Sequence, residues 1–432
     1  MLKALKNKEM KNAVWIIGER VLQTVLSFII GVMSARYLGP SNYGALNYTA
    51  SFVTFFSSVA LLGMEGVIIK KMIAEPEKEG DFLGGCLILR FFSSLICSLS
   101  IVLIVFILNP NDELKVILAL LQSIQLIFQS VSIFDSWFQR YLKSKYISIG
   151  KIVAFLVMSA YKVFLLATSK SIEWFAFSNS LSYLVIGILL IIFYKKNKGQ
   201  KVVPNVKAGI FVLKDSYHYI LSGLMVALYG QMDKVMIGKM LSDSHVGLYT
   251  TAINLCSMWI FVPTAIINSF RPSLMEMHQA KQFDKYNVRL RQLYSAIIWL
   301  CIGVSVIACI VAPLISVIYG EDYAGAVNSL RIAIWCETFS MIGTARGIWI
   351  LCENKNKYIK YYLGIGVVVN FVLNMLLIPV MGIEGAAVAT LATQITTSII
   401  SPMFFKETAS HTKIVWEAFC LKWYFDKKRN KK

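Results

Sequence analysis

The sequence predicts an all-α membrane protein of about twelve transmembrane helices, arranged as two similar halves. Three observations carry that prediction. Apolar residues make up 57% of the chain and charged residues only 16%, against about 45–50% and about 25% in ordinary soluble domains. The apolar residues fall in runs of about 20, the length a helix needs to cross a hydrocarbon layer of about 30 Å. Between the runs, Lys and Arg alternate from plentiful to scarce, connection by connection.

The twelve runs lie near 13–36, 43–66, 83–108, 114–137, 147–168, 172–194, 217–238, 247–269, 292–318, 326–351, 358–379 and 383–405. Four Lys precede the first run. The even-numbered connections hold three, four, six, five and three Lys or Arg, and the tail holds eight, 33 in all. The odd-numbered connections hold only Arg36, Lys115, Lys170 and Lys239. Cytoplasmic loops collect Lys and Arg, so both termini are expected in the cytoplasm and the span count is expected to be even. The same segregation assigns the net charge of +19 to membrane surfaces rather than to nucleic acid.

The first run follows basic residues, as a signal peptide does, but its length and the spans behind it predict an uncleaved helix. It carries Glu19-Arg20 and ends at Ala35–Gly44. There Gly39-Pro40 stops the helix, because Pro lacks an N–H and Gly is entropically unfavourable, and Ser41 or Asn42 can cap the next one. Met64 to Gly85 mixes charge signs around Pro76 and reads as a short cytoplasmic amphipathic piece. Arg90 lies in the third span, Asp135-Ser136-Trp137 closes the fourth, and Lys162 lies in the fifth. Lys195 to Lys214 is the longest and most basic connection, the expected linker between halves.

Aligning Gly44 on Gly247 also superposes Arg36 on Lys239, Leu38 on Leu241 and Ser41 on Ser244. Spans one and seven both run outward, so the halves are expected to be parallel repeats about an axis along the membrane normal. The expected divisions are 1–194 and 217–405 as six-helix bundles, 195–216 as a basic cytoplasmic linker, and 406–432 as a basic amphipathic tail. The seventh span carries Gln231, Asp233 and Lys234. The tenth carries Arg331, Glu337 and Arg346, and the eleventh Asn370 and Asn374. The twelfth is small and polar on one side from Gly385 to Thr397, a pattern that packs closely or lines a wet groove. In the tail, Ile414, Trp416, Phe419, Trp423 and Phe425 alternate with a basic end, as in a helix lying along the inner membrane face.

The eight cysteines form no CxxC and read as small apolar residues, and the four histidines are too scattered for a metal site. No cofactor is expected. The sequence has no GxxxxGK[ST], HExxH or GxSxG. Its outer connections are short turns such as Asn109–Glu113, which leave no room for the catalytic loop of a membrane polymerase or ligase. A transporter is expected rather than an enzyme.

Arg36-Tyr37-Leu38-Gly39-Pro40 followed by Tyr43-Gly44 resembles the start of the bacterial oligosaccharide flippases. These are the O-antigen and capsule repeat-unit transporters of the multidrug/oligosaccharidyl-lipid/polysaccharide exporter superfamily, often labelled polysaccharide biosynthesis proteins. Asp233-Lys234 through Val246-Gly247-Leu248-Tyr249, Gly320-Glu321-Asp322-Tyr323 and Gly382-x-x-Gly385-Ala386-Ala387 look like that family's later markers. The resemblance covers nearly the whole chain and rests on order and spacing more than on any one motif. It implies the fold of multidrug and toxin extrusion proteins, two six-helix bundles around a central cavity, in the bacterial cytoplasmic (inner) membrane. It also implies a substrate, a polyprenyl-diphosphate-linked oligosaccharide moved to the outer leaflet, with a polymerase and glycosyltransferases as partners in making lipopolysaccharide or capsule.

The remaining chemistry lies in intramembrane charges. Arg20, Arg90, Lys162, Lys234, Arg331 and Arg346 fall within spans, as do the acids Glu19, Asp135, Asp233 and Glu337. Each costs about 2.5–3.5 kcal/mol at a helix centre, so such residues face a cavity or pair with one another. A diphosphate needs cationic donors, and Arg offers bidentate ones. Arg20, Arg90, Lys234, Arg331 and Arg346 are therefore the candidate substrate-binding residues. Lys162, Lys234 and Arg331 also fit residues that snorkel to the interface. Glu19, Asp233 and Glu337 are candidates for coupling to H⁺ or Na⁺, or else neutralise nearby bases. A cation-coupled drug exporter of the same fold is the rival reading.

Overall fold

The computed structural model describes the backbone of residues 2–422 and the side chains of residues 23–422. Among the described residues every regular element is helical. In chain order these are α1 (Leu2–Ala60), α2 (Glu65–Ala74), α3 (Glu79–Leu108), α4 (Glu113–Gln129), α5 (Ile133–Arg140), α6 (Ser144–Ala167), α7 (Ile172–Lys196) and α8 (Val206–Met240). There follow α9 (Asp243–Ser257), α10 (Phe261–Gln279), α11 (Phe283–Val311), α12 (Leu314–Tyr319), α13 (Ala326–Cys352), α14 (Ile359–Ile395), α15 (Ser401–Met403) and α16 (Ala409–Phe419). A π-helical turn, Thr396–Ile400, joins α14 to α15.

Nine stretches of the described residues are long and apolar enough to cross a membrane. Two of them, Gln23–Ala74 and Asn356–Met403, are 52 and 48 residues long. Each is broken by a glycine with positive φ: Gly39 (φ 69°, ψ 168°) and Gly382 (φ 62°, ψ −137°). A side chain with a Cβ is strained in that region, so glycine permits the break. Pro40, lacking an N–H, prevents the helix from healing across the first one. Counting both broken stretches twice and adding α13, which carries three charges, gives the twelve segments that the apolar runs predict.

The chain divides into two compact units, Met1–Gln231 and Met232–Lys432. In the first, Ile68 and Met72 of α2 pack with Phe82, Trp137, Tyr194 and Val212. A second cluster gathers Leu38 and Ala45, beside the Gly39 break, with Leu118, Leu165 and Phe175. Tyr37 stacks on Phe175 at 5.7 Å and donates a hydrogen bond to the Lys170 carbonyl. In the second unit, Tyr294, Ile298, Ile342, Trp349 and Tyr362 form the centre of the core.

Two regions differ from their sequence expectation. The linker expected at 195–216 becomes α8 from Val206, and its non-helical part is bound rather than free. The Val203 N–H donates to the Gly80 carbonyl at 3.1 Å, and Asn205 Nδ2 donates to Asp81 at 3.2 Å. A Cβ on Gly80, Gly84 or Gly85 would lie 2.1, 1.9 or 2.2 Å from the carbonyl oxygens of Lys201, Val203 and Asn205. The start of α3 is thus a glycine-lined seat for the linker backbone. In the tail, α16 buries His411, Val415 and Ala418 in the second unit and exposes Trp416. The helix expected to lie on the membrane surface is anchored in protein along one face. Trp423, Phe425 and the basic end lie outside the described residues.

Candidate functional site

Asp233 is the most elaborately held charge in the second unit. It sits about two turns before the basic end of α8 and is buried. Tyr249 of α9 donates its hydroxyl to Oδ2 at 2.5 Å, Thr390 donates to the same oxygen, and Asn374 Nδ2 donates to Oδ1 at 2.7 Å. Asn374 Nδ2 also donates to Asn370 Oδ1 at 3.1 Å, one turn earlier on α14. All three donors to the carboxylate are neutral. Asn374 Oδ1 and Asn370 Nδ2 are buried with no hydrogen-bond partner. Buried polar atoms are rarely left so, and here they border an ionisable group.

The oxygens gathered at this point belong to a carboxylate, two amides and two hydroxyls. That is a hard donor set, suited to a proton or an alkali cation rather than to a transition metal. No group of three His, Cys, Asp or Glu suited to a metal ion occurs among the described residues.

The other candidates are placed separately. Lys234, next to Asp233, is half-buried and makes no hydrogen bond or ion pair among the described residues. Glu337 is half-buried on α13, with Cys256, Cys301 and Cys336 as its electrostatic neighbours. Arg331 is exposed on α13, its Nε donating to the Cys309 carbonyl at 3.3 Å. Arg346 is buried; its Nη1 donates to the carbonyls of Thr397 and Ser398 at 2.6 and 3.3 Å, and its guanidinium lies 4.5 Å from the Tyr362 ring centre. A π-turn leaves carbonyls out of the regular ladder, and Arg346 satisfies two of them. Its immediate role is therefore to hold this turn, with Nε left unpartnered.

Beneath Arg346, His411 of α16 shares a hydrogen bond of 2.6 Å with the Tyr294 hydroxyl. Burial, reinforced by the Arg346 charge, holds the His411 imidazole well below its usual range, so it is neutral.

Arg90 lies in the first unit. It is completely buried in α3, with Ser132 at 3.4 Å from Nη1 and Glu65 at 3.9 Å from Nη2. Asp135 adds to the negative field around it. Nε and Nη2 make no hydrogen bond. A guanidinium has five N–H donors, so this one retains unused capacity. Arg20 and Glu19 lie outside the residues whose side chains are described.

Sequence reasoning singled out Asp233 but not its partners. Asn370 and Asn374 carried a signal, since a four-residue spacing places both on one helix face. Tyr249 stood at the end of a family marker and Thr390 on the small polar face of the twelfth span, but neither pointed to Asp233.

Fold and buried charges together define a multi-pass membrane protein of the transporter class. The chain belongs to the polysaccharide biosynthesis protein family, whose model matches residues 10–278. A MatE family model matches residues 219–376. Among similar proteins, the probable flippase AglR of Haloferax volcanii is 23% identical over 404 residues, which cover 89% of this chain and 80% of that one. The solved lipid II flippase MurJ, in an inward closed conformation, superposes with a TM-score of 0.73 at 15% identity, covering 96% of this chain and 92% of its own. The inward-facing conformation of a multidrug resistance MATE family transporter gives a TM-score of 0.72 at 12% identity, covering 91% and 95%. At these identities the solved structures establish a shared fold.

Proposed function

We propose that this chain is a flippase that carries polyprenyl-diphosphate-linked oligosaccharide repeat units from the inner to the outer leaflet by alternating access. It serves surface polysaccharide synthesis from the cytoplasmic membrane, with both termini in the cytoplasm. Glycosyltransferases supply its substrate and a polymerase consumes its product. Family membership and the flippase names among its relatives support the class. The single observation that carries the mechanism is the Asp233 carboxylate, buried and held by three neutral donors.

A carboxylate so placed accepts a proton or Na⁺ without a competing fixed base in hydrogen-bond contact. When the cation arrives, the hydroxyl oxygens of Tyr249 and Thr390, rather than their protons, face it. Those hydroxyls belong to α9 and to the part of α14 beyond Gly382, so ion binding changes the bonding between three helices. A ligand shifts a conformational equilibrium only by its differential affinity for the two states, and this reorganisation supplies that difference. Arg20 and Arg90, in the first unit, are the cations assigned to the diphosphate, Lys234, Arg331 and Arg346 the second-unit candidates. Glu337 is a second protonatable group.

The test is direct. Deleting the gene strands lipid-linked repeat units on the cytoplasmic leaflet while their synthesis continues. In proteoliposomes, the protein moves a fluorescent lipid-linked oligosaccharide, and Arg20→Ala slows movement without lowering abundance. Normal outer-leaflet delivery in the deletion strain overturns the proposal.

The MatE match over 219–376 favours a second reading, a cation-coupled multidrug exporter. It requires greater drug susceptibility after deletion, with glycan delivery unchanged.

A further inference from the structure

The first part of α8 carries a surface that the transport mechanism does not use. Residues 206–222 touch the rest of the first unit along one side of the helix. Gly209 meets the Gly85 backbone, Val212 enters the core beside Phe82, and Ser216 is fully buried. The opposite side is exposed and divided into two stripes. At 100° per residue, Val206, Ile210, Tyr217 and Leu221 share one face, and each is more than two-fifths exposed. Lys207, Lys214 and His218 form the next stripe and are also exposed. Beyond them, Lys71 of α2 lies 3.8 Å over the Phe211 ring and pairs with Asp215 at 2.6 Å.

An apolar face bordered by cations is the pattern of a helix at a membrane interface. It stands on the Lys-rich side of the chain, where the sixth connection holds six basic residues. Lys207, Lys214 and His218 make no side-chain hydrogen bond or ion pair among the described residues, whereas Lys71 beside them is already neutralised by Asp215. Lys214 and His218 stand about 6 Å apart along the axis and Lys207 about 10 Å below Lys214. Two ammonium groups and an imidazole so spaced offer more donors than one phosphodiester uses. A diphosphate, with more anionic oxygens, matches them better.

We infer that the Lys207–Lys214–His218 stripe is a cytoplasmic-leaflet docking site for the diphosphate of a polyprenyl-linked glycan, whose polyprenyl chain lies along Val206, Ile210 and Leu221. The inference rests on the flippase reading and deepens it. Substrate is gathered on the outside of the first unit before it reaches the buried Arg90.

The test uses full-length protein in phosphatidylcholine nanodiscs, with polyprenyl diphosphate binding read by native mass spectrometry. Lys207→Gln/Lys214→Gln/His218→Gln weakens binding about tenfold or more. Lys195→Gln/Lys196→Gln, a control for general surface charge, leaves it unchanged. Unweakened binding in the triple variant overturns the site, and so does an equal loss in the control. Competition by phosphatidylglycerol as effective as by the diphosphate makes the stripe a general anionic-lipid surface and also overturns it. Should the triple variant misfold, Lys214→Gln alone must weaken binding measurably. If the wild-type protein binds no polyprenyl diphosphate, it is the flippase reading that falls.

Discussion

In the first unit a buried cation, Arg90, has acids approaching it from its margin; in the second a buried acid, Asp233, is surrounded by neutral donors. Arg90 has Glu65 at 3.9 Å, and Glu65 is itself largely exposed. Asp233 has Tyr249, Thr390 and Asn374 within hydrogen-bond reach, and no base in ion-pair contact among the described residues. The two arrangements suit different tasks. A buried guanidinium with unused N–H groups binds an anion that comes and goes. A carboxylate with hydroxyl partners binds a small cation and reorients those partners as it does. On the proposed function, substrate charge falls to Arg90 of the first unit and coupling to Asp233 of the second.

The contrast is broken most easily at Asp233. Asp233→Asn keeps the size of the side chain and removes its charge, so ion-driven flipping falls by up to about 100-fold. Binding of the lipid-linked substrate remains. Proteoliposomes with and without a proton or Na⁺ gradient separate the two quantities. Equal gradient dependence in variant and wild type would falsify the coupling role.

The first unit gives the next largest effect. Arg90→Lys keeps the charge but loses the planar fork, and Arg90→Leu loses both. Substrate affinity falls about tenfold in the first variant and further in the second, with gradient dependence intact. If Arg90→Leu instead abolished ion dependence and spared affinity, the assignment of tasks to units would be reversed.

Much of this was legible in the sequence, for identifiable reasons. Span number and the break at Gly39-Pro40 depend on local composition, and the residues that decide them are adjacent. Gly382 was visible as a marker followed by Gly385. Asp233 was visible because a charge in an apolar run is costly wherever it points. Its partners were not, because Asn374 and Thr390 reach it across 141 and 157 residues of chain. The linker seat was hidden for a similar reason. Gly80, Gly84 and Gly85 look permissive in a helix, and only the returning backbone of residues 201–205 explains them.

That seat supplies a third prediction, one of stability confined to the first unit. In Gly84→Ala the new Cβ would lie 1.9 Å from the Val203 carbonyl oxygen, and backbone cannot swing aside as a side chain can. Overpacking of this kind costs about 1–3 kcal/mol. The variant should melt earlier in detergent, and limited proteolysis should cut first between Asn197 and Asn205. Gly364→Ala, in the second unit with nothing within 4 Å, is the matched control and should melt as wild type does.

The smallest effect is a pH dependence that belongs to the second unit. His411 is fully buried beside Tyr294, and burial holds its imidazole well below the usual range. The folded chain therefore keeps it neutral, while the unfolded chain takes up a proton as pH falls through about 6.5. Its contribution to stability is present above that pH and declines below it, by at most about 1.4 kcal/mol per pH unit. The first unit's only histidine, His218, is exposed. Mild acid should thus loosen the second unit first. Hydrogen exchange at pH 5.5 and 7.5 should show faster exchange around α11 and α16 at the lower pH, with α3 and α4 unchanged. In His411→Phe that difference should vanish, even if the loss of the Tyr294 hydrogen bond lowers stability at both pH values. A pH difference that survives in His411→Phe would place the sensitive group elsewhere in the second unit.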